Sequence, residues 1–319
     1  MNTITIVNQS QTASALQDKD AVLDLIADAY QAHRRNPEQT PRSHFLRFPD
    51  RPGDRIIALL SRYSSPARDL AGIKWVSSFP GNLEVGNPRA FASILLNDMS
   101  TGYPVALIAA SPINAARTAA SAALSAAAVL RSRGGTPLSI GLIGVGYIGR
   151  SILDYLHHLG IAAPVALHDQ DPDRVAEFHH PIGAVVATDL DSALAGDIVI
   201  FATTAAEPYV TRPFQPGQVV LHVSLRDLAP TVVVDAQNIV DDADHALRER
   251  TSLELTRDLV GHTGFVTGTI PELLAGSLRL DERPVIISPF GLGILDIATA
   301  AHVFTHATSH DATVSVDFY

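Results

Sequence analysis

The chain has 319 residues, of which 46% are hydrophobic and 18% are charged, a composition typical of a soluble α/β enzyme with room for two domains. With 23 basic and 33 acidic residues its net charge is −10, which argues against nucleic acid or an anionic membrane as a partner. The absence of cysteine excludes disulfides, thiolate catalysis and cysteine-based metal sites, and we predict no metal site. The N-terminus lacks a signal pattern and no apolar run spans a membrane without interruption, so we predict a cytoplasmic protein.

The first part of the chain predicts one helix followed by several strands. Apolar residues recur at helical spacing over 19–35, and apolar runs predict strands at 54–60, 71–79, 90–96 and 104–110. Because no helix is predicted between these strands, they form an antiparallel or mixed sheet rather than βαβ units. Residues 1–115 are therefore predicted to form an α+β domain.

An alanine-rich segment connects this domain to a second one of a different class. Residues 114–133 have high helix propensity, and Gly134-Gly135 ends the helix. Strands and helices then alternate, with strands predicted at 138–143, 164–169, 184–187, 197–202, 219–223, 232–239 and 284–288. That order predicts a Rossmann-like, doubly wound parallel sheet over residues 116–290. Residues 291–319, a helix and an edge strand, are expected to return to the first domain and complete it.

A glycine-rich turn, Gly144-Val-Gly-Tyr-Ile-Gly149, lies between a predicted strand and a predicted helix. This is the context of a dinucleotide-binding turn: Gly144 allows the tight turn, Gly146 lets the backbone approach a pyrophosphate, and Gly149 brings helix and strand together. Asp169 ends the next strand about 20 residues later, where a carboxylate binds both ribose hydroxyls and repels a 2′-phosphate. The sequence therefore predicts NAD as the cofactor, against the alternative of a glycine-rich turn without a ligand.

Residues that follow other strands are predicted to contact the same cofactor, because ligands of doubly wound folds bind beyond the carboxyl ends of the strands. Two further predicted contacts, Tyr147 and Ile148, lie inside the glycine turn. The others are Thr203, Thr204, His222, Ser224 and Gly291. Asp227 lies at the same rim, where we expect apolar neighbours to raise the pKa of its carboxyl so that it serves as a general base. The alternative for Asp227 is a helix or turn cap.

Cationic residues in and next to the first domain are candidates for substrate binding. Lys74 lies in the middle of an otherwise apolar strand, where it either faces solvent or binds a ligand. Arg117 has no acidic residue within four positions on its own helix, which favours a ligand-facing role. Arg47 and Arg89 lie near strand edges, and a surface position is favoured for each. Several such cations in an acidic chain suit a substrate with more than one carboxylate.

Several of these residues lie in segments that resemble the ornithine cyclodeaminase/μ-crystallin family, and the resemblance extends over nearly the whole chain. Its carriers are Ile73-Lys-Trp-Val-Ser-Ser-Phe-Pro80, Asn97-Asp-Met-Ser-Thr-Gly-Tyr-Pro104, Arg117-Thr-Ala-Ala120, the turn at Gly144 and Gly291-Leu-Gly-Ile-Leu-Asp296. The resemblance implies that Lys74, Arg117 and Arg47 bind substrate carboxylates and that Asp227 is the catalytic aspartate. It also implies a homodimer in which the first domains pair through their sheets.

Within the family, segments 71–82 and 223–230 are most similar to enzymes of 2,3-diaminopropionate biosynthesis. The implied reaction is NAD-dependent oxidation of N-(2-amino-2-carboxyethyl)-L-glutamate, with hydrolysis of the imine to 2-oxoglutarate and L-2,3-diaminopropionate. Lys74 would then serve catalysis as well as binding, and Arg226 would add a cation for a substrate with several carboxylates. Cyclodeaminases carry Asp-Cys-Pro-Gly-Lys where this chain has Arg226-Asp-Leu-Ala-Pro230. Ornithine cyclodeaminase, which makes proline and ammonia, and a μ-crystallin-like binding protein without turnover are the alternatives.

Overall fold

The chain forms two compact units, each with its own sheet, in a computed structural model that describes residues 3–66, 68–179, 185–310 and 313–318. Unit 1 consists of Met1–Arg117 and Leu292–Tyr319, and unit 2 of Thr118–Gly291. Unit 1 is therefore built from two stretches of chain that are separated in sequence by the whole of unit 2.

The first elements in chain order belong to unit 1. They are β1 (Thr3–Val7), α1 (Gln9–Ala15), α2 (Lys19–Arg35), β2 (His44–Phe48), β3 (Arg51–Ser64), β4 (Asp69–Ser78), β5 (Ala90–Asp98) and β6 (Pro104–Ala109). A long helix, α3 (Ser111–Arg133), contains the point at which unit 1 gives way to unit 2.

Unit 2 alternates strands with mostly short helices, and the last two elements return to unit 1. Unit 2 contains β7 (Ile140–Ile143), α4 (Tyr147–His158), β8 (Val165–His168), α5 (Pro172–Ala176), β9 (Val185–Ala187), α6 (Leu190–Leu194), β10 (Ile198–Phe201), β11 (Val219–His222), α7 (Pro230–Val234), β12 (Gln237–Val240), α8 (Ala243–Ala246), α9 (Ser252–Val260), β13 (Val266–Thr269), α10 (Ile270–Leu274) and β14 (Val285–Ser288). The returning elements are α11 (Gly293–His310) and β15 (Val314–Asp317).

The sheet of unit 1 is mixed and has the strand order β15-β1-β6-β5-β4-β3-β2. Strands β2 to β6 pair antiparallel to their neighbours, whereas β1 runs parallel to β6. Helix α11 packs against α2, β3 and β4. The apolar stripe of α2, with Val22, Ile26 and Tyr30, is fully buried, as the helical spacing predicts.

The sheet of unit 2 is parallel throughout, in the order β13-β12-β14-β11-β10-β7-β8-β9. Strand β7 lies between β8 and β10, so the chain turns to one side of β7 first and to the other side later. That point is the topological switch at which doubly wound sheets bind their ligands. The predicted fold class, a doubly wound parallel sheet with an α+β part completed by the C-terminal helix, is confirmed.

The strand predicted at 232–239 is wrong in its first half, where the chain is helical. Pro230 takes the first position of α7, where its missing N–H is not needed. Val232 and Val233 suggested a strand by their β-branched side chains, but both are buried in a helix that packs against α9. Asn238 stabilises the change from helix to strand, because its Nδ2 donates to the carbonyl oxygen of Val233 at 2.7 Å.

The edge strand predicted at 312–319 corresponds to β15, which pairs antiparallel with β1. Residues 311, 312 and 319 lie outside the described part of the chain. Helix α3 is long and apolar enough to cross a membrane by length and composition alone, but 67% of its most apolar window is buried inside the protein, as is usual for a core helix.

Candidate active site

Unit 1 contains a buried cluster of four polar side chains. Lys74 comes from β4, Asn114 and Arg117 lie one turn apart on α3, and Asp296 lies in the first turn of α11. Lys74 Nζ is 2.7 Å from Asp296 Oδ2, and Arg117 Nε is 3.0 Å from Asp296 Oδ1. Both cations also donate to Asn114 Oδ1, at 3.1 Å from Lys74 Nζ and 2.9 Å from Arg117 Nη2.

This cluster has an excess of positive charge. With Lys74 protonated, the four side chains carry two positive charges and one negative charge, and Lys74 and Asp296 are at most 1% exposed. A buried cation is unfavourable unless an anion pairs with it. The cluster therefore suits one further carboxylate, supplied by a ligand.

The pKa of Lys74 gives the cluster a second chemical property. Burial, followed by the charge of Arg117, lowers the pKa of Lys74 to about 8, although Asp296 opposes the change. An amine with this pKa can accept and return a proton near neutral pH. The alternative in which Lys74 faces solvent is wrong, because the side chain lies on the face of β4 that α11 covers.

The other cations predicted to bind substrate have different surroundings. Arg47 is exposed, with its guanidinium over a neighbouring aromatic ring. Arg89 is half-buried, and its Nη1 donates to Ser78 Oγ at 3.0 Å. Arg226 belongs to unit 2, where its Nη2 donates to the backbone carbonyl of Glu249 at 2.7 Å. The guanidinium of Arg226 is thus already engaged in fixing a turn of unit 2.

The glycine-rich turn of unit 2 has the shape that a dinucleotide requires. Gly144 has φ of +90°, and a Cβ at this position would lie 2.6 Å from the carbonyl oxygen of Ala202. A Cβ at Gly146, in contrast, would meet no described atom within 4 Å. Gly146 is the N-cap of α4, and within the described residues no side chain bonds to this helix start. Free N–H groups next to open space fit the pyrophosphate of a dinucleotide.

Asp169 lies at the end of β8, beside the glycine turn. Its Oδ2 accepts from the backbone N–H of Val145 at 2.7 Å, and its Oδ1 accepts from that of Asp171 at 3.0 Å. Each carboxylate oxygen keeps a lone pair for a ribose hydroxyl. Arg174, the first arginine after Asp169 in the sequence, forms an ion pair with Asp171 at 3.2 Å. This arrangement fits NAD better than its 2′-phosphorylated form.

The carboxylate of Asp227, also in unit 2, is fully buried and surrounded by side-chain donors. The hydroxyls of Thr203 and Tyr209 donate to Oδ1, the latter at 3.1 Å. The hydroxyl of Ser224 donates to Oδ2, and His222 Nε2 lies 3.2 Å from the same oxygen. Three predicted cofactor contacts, Thr203, His222 and Ser224, therefore direct their side chains at Asp227.

The predicted rise in the pKa of Asp227 is wrong. Burial by itself would raise the pKa, but hydrogen bonding and charge from His222, together with the hydroxyls of Ser224 and Thr203, outweigh burial and lower it to about 2. Asp227 is therefore ionised at neutral pH and is a weak base. Burial, followed by the charge of Asp227, raises the pKa of Tyr209, so its phenol remains a donor.

His222 has hydrogen-bond partners for either tautomer of its ring. Its Nε2 is 3.2 Å from both Oδ2 and the backbone N of Asp227, and its Nδ1 is 3.3 Å from Ser288 Oγ. A protonated Nε2 donates to the carboxylate, whereas an unprotonated Nε2 accepts from the backbone N–H. The hydroxyl of Ser288 can donate or accept, so it matches both states. The imidazole can thus change tautomer without losing its bonds.

The turn that carries Asp227 has an unusual backbone. Leu225 has φ of +71°, in the left-handed region, which costs a non-glycine residue about 1 kcal/mol. Its side chain is buried, and its carbonyl oxygen accepts from the backbone N–H of Ser252 at 2.8 Å. Ser252 Oγ also accepts from the N–H of Leu228 at 3.2 Å. Core packing and the start of α9 therefore hold this turn in place.

The remaining predicted cofactor contacts differ in their exposure to solvent. Tyr147 and Thr204 are exposed and Ile148 is half-buried. Gly291 is buried with φ of +103°, and its N–H donates to Asp241 Oδ2 at 2.6 Å. Burial raises the pKa of Asp241, and sequence reasoning gave this aspartate no role.

Comparison with known proteins decides the family. The profile of the ornithine cyclodeaminase/mu-crystallin family matches residues 6–311. The chain belongs to that family. The resemblance found in the sequence is thereby confirmed.

Individual relatives cover almost the whole chain at low identity. N-((2S)-2-amino-2-carboxyethyl)-L-glutamate dehydrogenase of Staphylococcus aureus is 28% identical, over 93% of each chain. Alanine dehydrogenase of Archaeoglobus fulgidus is 23% identical, over 99% of each chain. Among solved structures, Thermococcus litoralis Δ1-pyrroline-2-carboxylate reductase, in complex with NADH and L-proline, has a TM-score of 0.87 at 24% identity, covering 98% of this chain and 100% of that one. This chain thus shares its fold with the reductase. The relatives named here differ from one another in substrate.

Proposed function

We propose that the protein oxidises the secondary amine of N-(2-amino-2-carboxyethyl)-L-glutamate with NAD and hydrolyses the imine to L-2,3-diaminopropionate and 2-oxoglutarate. The general class, an NAD-dependent amino-acid dehydrogenase or reductase, is common to the relatives described above. The particular substrate is that of the Staphylococcus aureus relative. The glycine turn, the uncapped start of α4 and Asp169 fit NAD as the cofactor.

The observation that carries this proposal is the buried cluster of Lys74, Asn114, Arg117 and Asp296. Its excess positive charge suits an amino-acid carboxylate, and the low pKa of Lys74 suits proton transfer at an amine. Proton transfer at an amine is a step of catalysis that ligand binding alone does not require. The cluster therefore favours an enzyme over a binding protein.

In the proposed mechanism, the carboxylate next to the carbon that is oxidised pairs with Arg117 and accepts a hydrogen bond from an N–H of Lys74. Bound NAD⁺ supplies the acceptor for the hydride that leaves this carbon. Neutral Lys74 first takes a proton from the secondary ammonium group, so that the nitrogen lone pair can form the C=N bond as the hydride leaves. Fixing the carboxylate keeps the reacting C–H in one orientation.

The ionised carboxylate of Asp227 has the charge needed for the second half of the reaction. Its charge stabilises the positively charged imine to which water adds. Lys74 returns its proton to the nitrogen as the C–N bond breaks. One water is consumed, and NADH and one proton are released for each 2-oxoglutarate formed.

The test is a redox balance with purified enzyme. With the glutamate conjugate and NAD, we expect NADH absorbance to grow mole for mole with 2-oxoglutarate. With L-ornithine we expect neither NADH nor ammonia. Release of proline and ammonia from ornithine with constant NADH would identify a cyclodeaminase instead. A lack of turnover with both substrates, despite tight NAD binding, would favour a binding protein.

We also propose that the protein is a homodimer. Apolar side chains are exposed on the face of the unit 1 sheet opposite to Lys74, among them Leu46, Leu60, Trp75, Phe91 and Leu107. A contiguous exposed apolar patch of this kind is typical of an interface. One related structure is of an alanine dehydrogenase dimer.

Light scattering tests the dimer. We expect twice the mass of the 33.9 kDa chain, and a shift toward monomer in Trp75→Glu. The control is Leu138→Glu, at an exposed apolar position of unit 2. A Trp75→Glu variant that keeps the mass of the wild type would contradict this interface. A cytoplasmic location without nucleic-acid or membrane partners remains part of the proposal, in keeping with the net charge of −10.

A further inference from the structure

A row of polar residues crosses the face of the unit 1 sheet that also carries Lys74. Strand pairing places Arg47 opposite Arg55, Arg55 opposite Ser78, and Ser78 opposite Ala90. Directly opposed residues of antiparallel strands point to the same face. Ser78 follows Lys74 by four positions on β4, so the row lies on the face of Lys74, about 13 Å further along the strand.

Arg89 places a further guanidinium next to Arg55 and Ser78 in this row. Its Nη1 donates to the buried Ser78 Oγ at 3.0 Å, although Arg89 itself lies just before β5. Burial lowers the pKa of Arg89, and the positive charge of Arg55 lowers it further. Arg55 and Arg89 are thus half-buried cations close enough to repel each other. A carboxylate between them would remove that repulsion and offer two oxygens to two guanidinium groups.

The surface between the row and Lys74 is apolar. Val76 lies between Lys74 and Ser78 on the same face of β4, and Ile57 lies opposite Val76 on β3. Both are half-buried, whereas Lys74 is almost completely covered. The face therefore has a cationic group at each end and a hydrocarbon surface between them. A carbon chain with a carboxylate at each end has the same pattern.

We propose that Arg55 and Arg89 form a second carboxylate subsite, which binds the distal carboxylate of a substrate whose amino-acid carboxylate is held by Lys74 and Arg117. The substrate class is then an amino acid with a carboxylate side chain, such as a glutamyl conjugate. The subsite deepens the proposed function and rests on it for the role of Lys74 and Arg117. Such a subsite would favour a longer substrate with two carboxylates over a short amino acid with one.

The subsite is tested by binding, without turnover. Titration calorimetry of the full-length enzyme compares glutarate, which has two carboxylates, with butyrate, which has one. We expect the wild type to bind glutarate at least about tenfold more tightly, the scale of one charge-assisted pair. Arg55→Met and Arg89→Met should each lose this preference while butyrate and NAD affinities stay within about twofold.

Arg51→Met is the matched control, since Arg51 is on the same strand, outside the row, and pairs with Asp54 at 2.7 Å. It should keep the glutarate preference. If a methionine variant fails to fold, Arg55→Gln and Arg89→Gln replace it, with thermal melting as the check. An unchanged preference for glutarate in folded variants of both arginines would overturn the subsite.

The outcome for the subsite is separate from that for the reaction. If glutarate preference depends on Arg55 and Arg89 but the glutamate conjugate releases no NADH, the subsite stands and the proposed reaction fails. If the conjugate releases NADH mole for mole and the arginine variants bind glutarate normally, the reaction stands and the subsite fails.

Discussion

Two buried carboxylates, Asp296 in unit 1 and Asp227 in unit 2, are both fully inaccessible to solvent but are stabilised in different ways. Asp296 is paired with two cations, Lys74 and Arg117. Asp227 accepts hydrogen bonds from hydroxyls and lies next to the imidazole of His222. One site uses charged partners and the other uses mainly neutral donors.

The difference decides what each site can attract. Two cations around Asp296 leave a positive charge in excess, so unit 1 attracts a carboxylate. Hydroxyls carry no charge, so they stabilise the negative charge of Asp227 without cancelling it, and unit 2 can stabilise a cation. A buried charge of either sign is stable only with partners, and the type of partner sets the sign that remains.

The largest effect is expected from Lys74→Met, which removes the excess charge and the proton acceptor together. We expect kcat/KM to fall by about 10³-fold, since general acid–base catalysis and a charged contact are both lost. In the wild type, activity should rise with pH to a plateau with an apparent pKa of about 8, because neutral Lys74 is the active form. A variant with unchanged activity would assign Lys74 a structural role only.

Stability provides an independent measurement on the same variant. The pKa of Lys74 in the folded state, about 8, lies below its ordinary value of 10.5. The folded protein therefore binds fewer protons than the unfolded chain between these values, and the free energy of unfolding rises with pH across that window. Urea denaturation should show that Lys74→Met lacks this rise, while Arg117 still pairs with Asp296.

A smaller loss is expected from Asp227→Asn, which removes the negative charge of unit 2. Turnover should fall by about 10²-fold, while NAD affinity measured by fluorescence titration changes little. The folded-state pKa of about 2 also means that ionised Asp227 stabilises the wild type above pH 3.8 and that this contribution is lost as pH falls toward 2. The acid-unfolding curve of Asp227→Asn should lack the loss of stability that protonation of Asp227 causes in the wild type.

Ser224→Ala is the control for Asp227→Asn, because it removes one donor and keeps the carboxylate. Its turnover should fall far less than that of Asp227→Asn. Equal losses in both variants would show that the hydrogen-bond network, rather than the charge, is what matters.

Arg117→Lys keeps the charge of unit 1 but loses the planar group that contacts both Asp296 and Asn114. We expect KM for the amino-acid substrate to rise about tenfold with a small change in melting temperature. The matched control is Arg62→Lys, at an arginine that bonds Asp69 on the surface. A large drop in melting temperature with normal KM would make Arg117 structural.

An effect of similar size, but on the cofactor, is expected from Asp169→Ala, which leaves Asp227 and Asp296 intact. NAD affinity should weaken by about tenfold, the scale of lost hydrogen bonds to a charged group. The ratio of NAD affinity to NADP affinity should also become smaller. Fluorescence titration with both dinucleotides measures this. Equal affinity of the wild type for NAD and NADP would remove Asp169 from the ribose site.

The fold and some residues of each candidate site could be predicted from the sequence. The glycine turn, the alternating elements and the strand with Lys74 are local patterns, so periodicity and spacing were enough to predict them. Asp296 lies 179 positions from Arg117 in the sequence, and only the return of α11 to unit 1 brings them together. Arg55 was missed for the same reason, because only strand register puts it opposite Ser78, to which Arg89 donates.

The error at Asp227 has a different origin. Apolar neighbours in the sequence suggested desolvation, which raises the pKa of a carboxyl. The donors that reverse the effect lie at the end of β11 or in the turns that follow β10 and β11. Tyr209, which also donates to Asp227, gave no signal in the sequence. The balance between burial and hydrogen bonds depends on orientation, which composition and spacing do not specify.

The left-handed backbone of Leu225 restricts how freely this turn can vary. Glycine would adopt φ of +71° without strain, a gain of about 1 kcal/mol, but it would remove a buried side chain whose loss costs about 2–4 kcal/mol. Any larger side chain keeps the strain and must also fit the same space. A library of all substitutions at 225, sorted for folded protein, should therefore retain leucine and reject glycine, contrary to the usual preference at left-handed positions. Tolerance at this position is set by the core beneath the turn, and not by the turn itself.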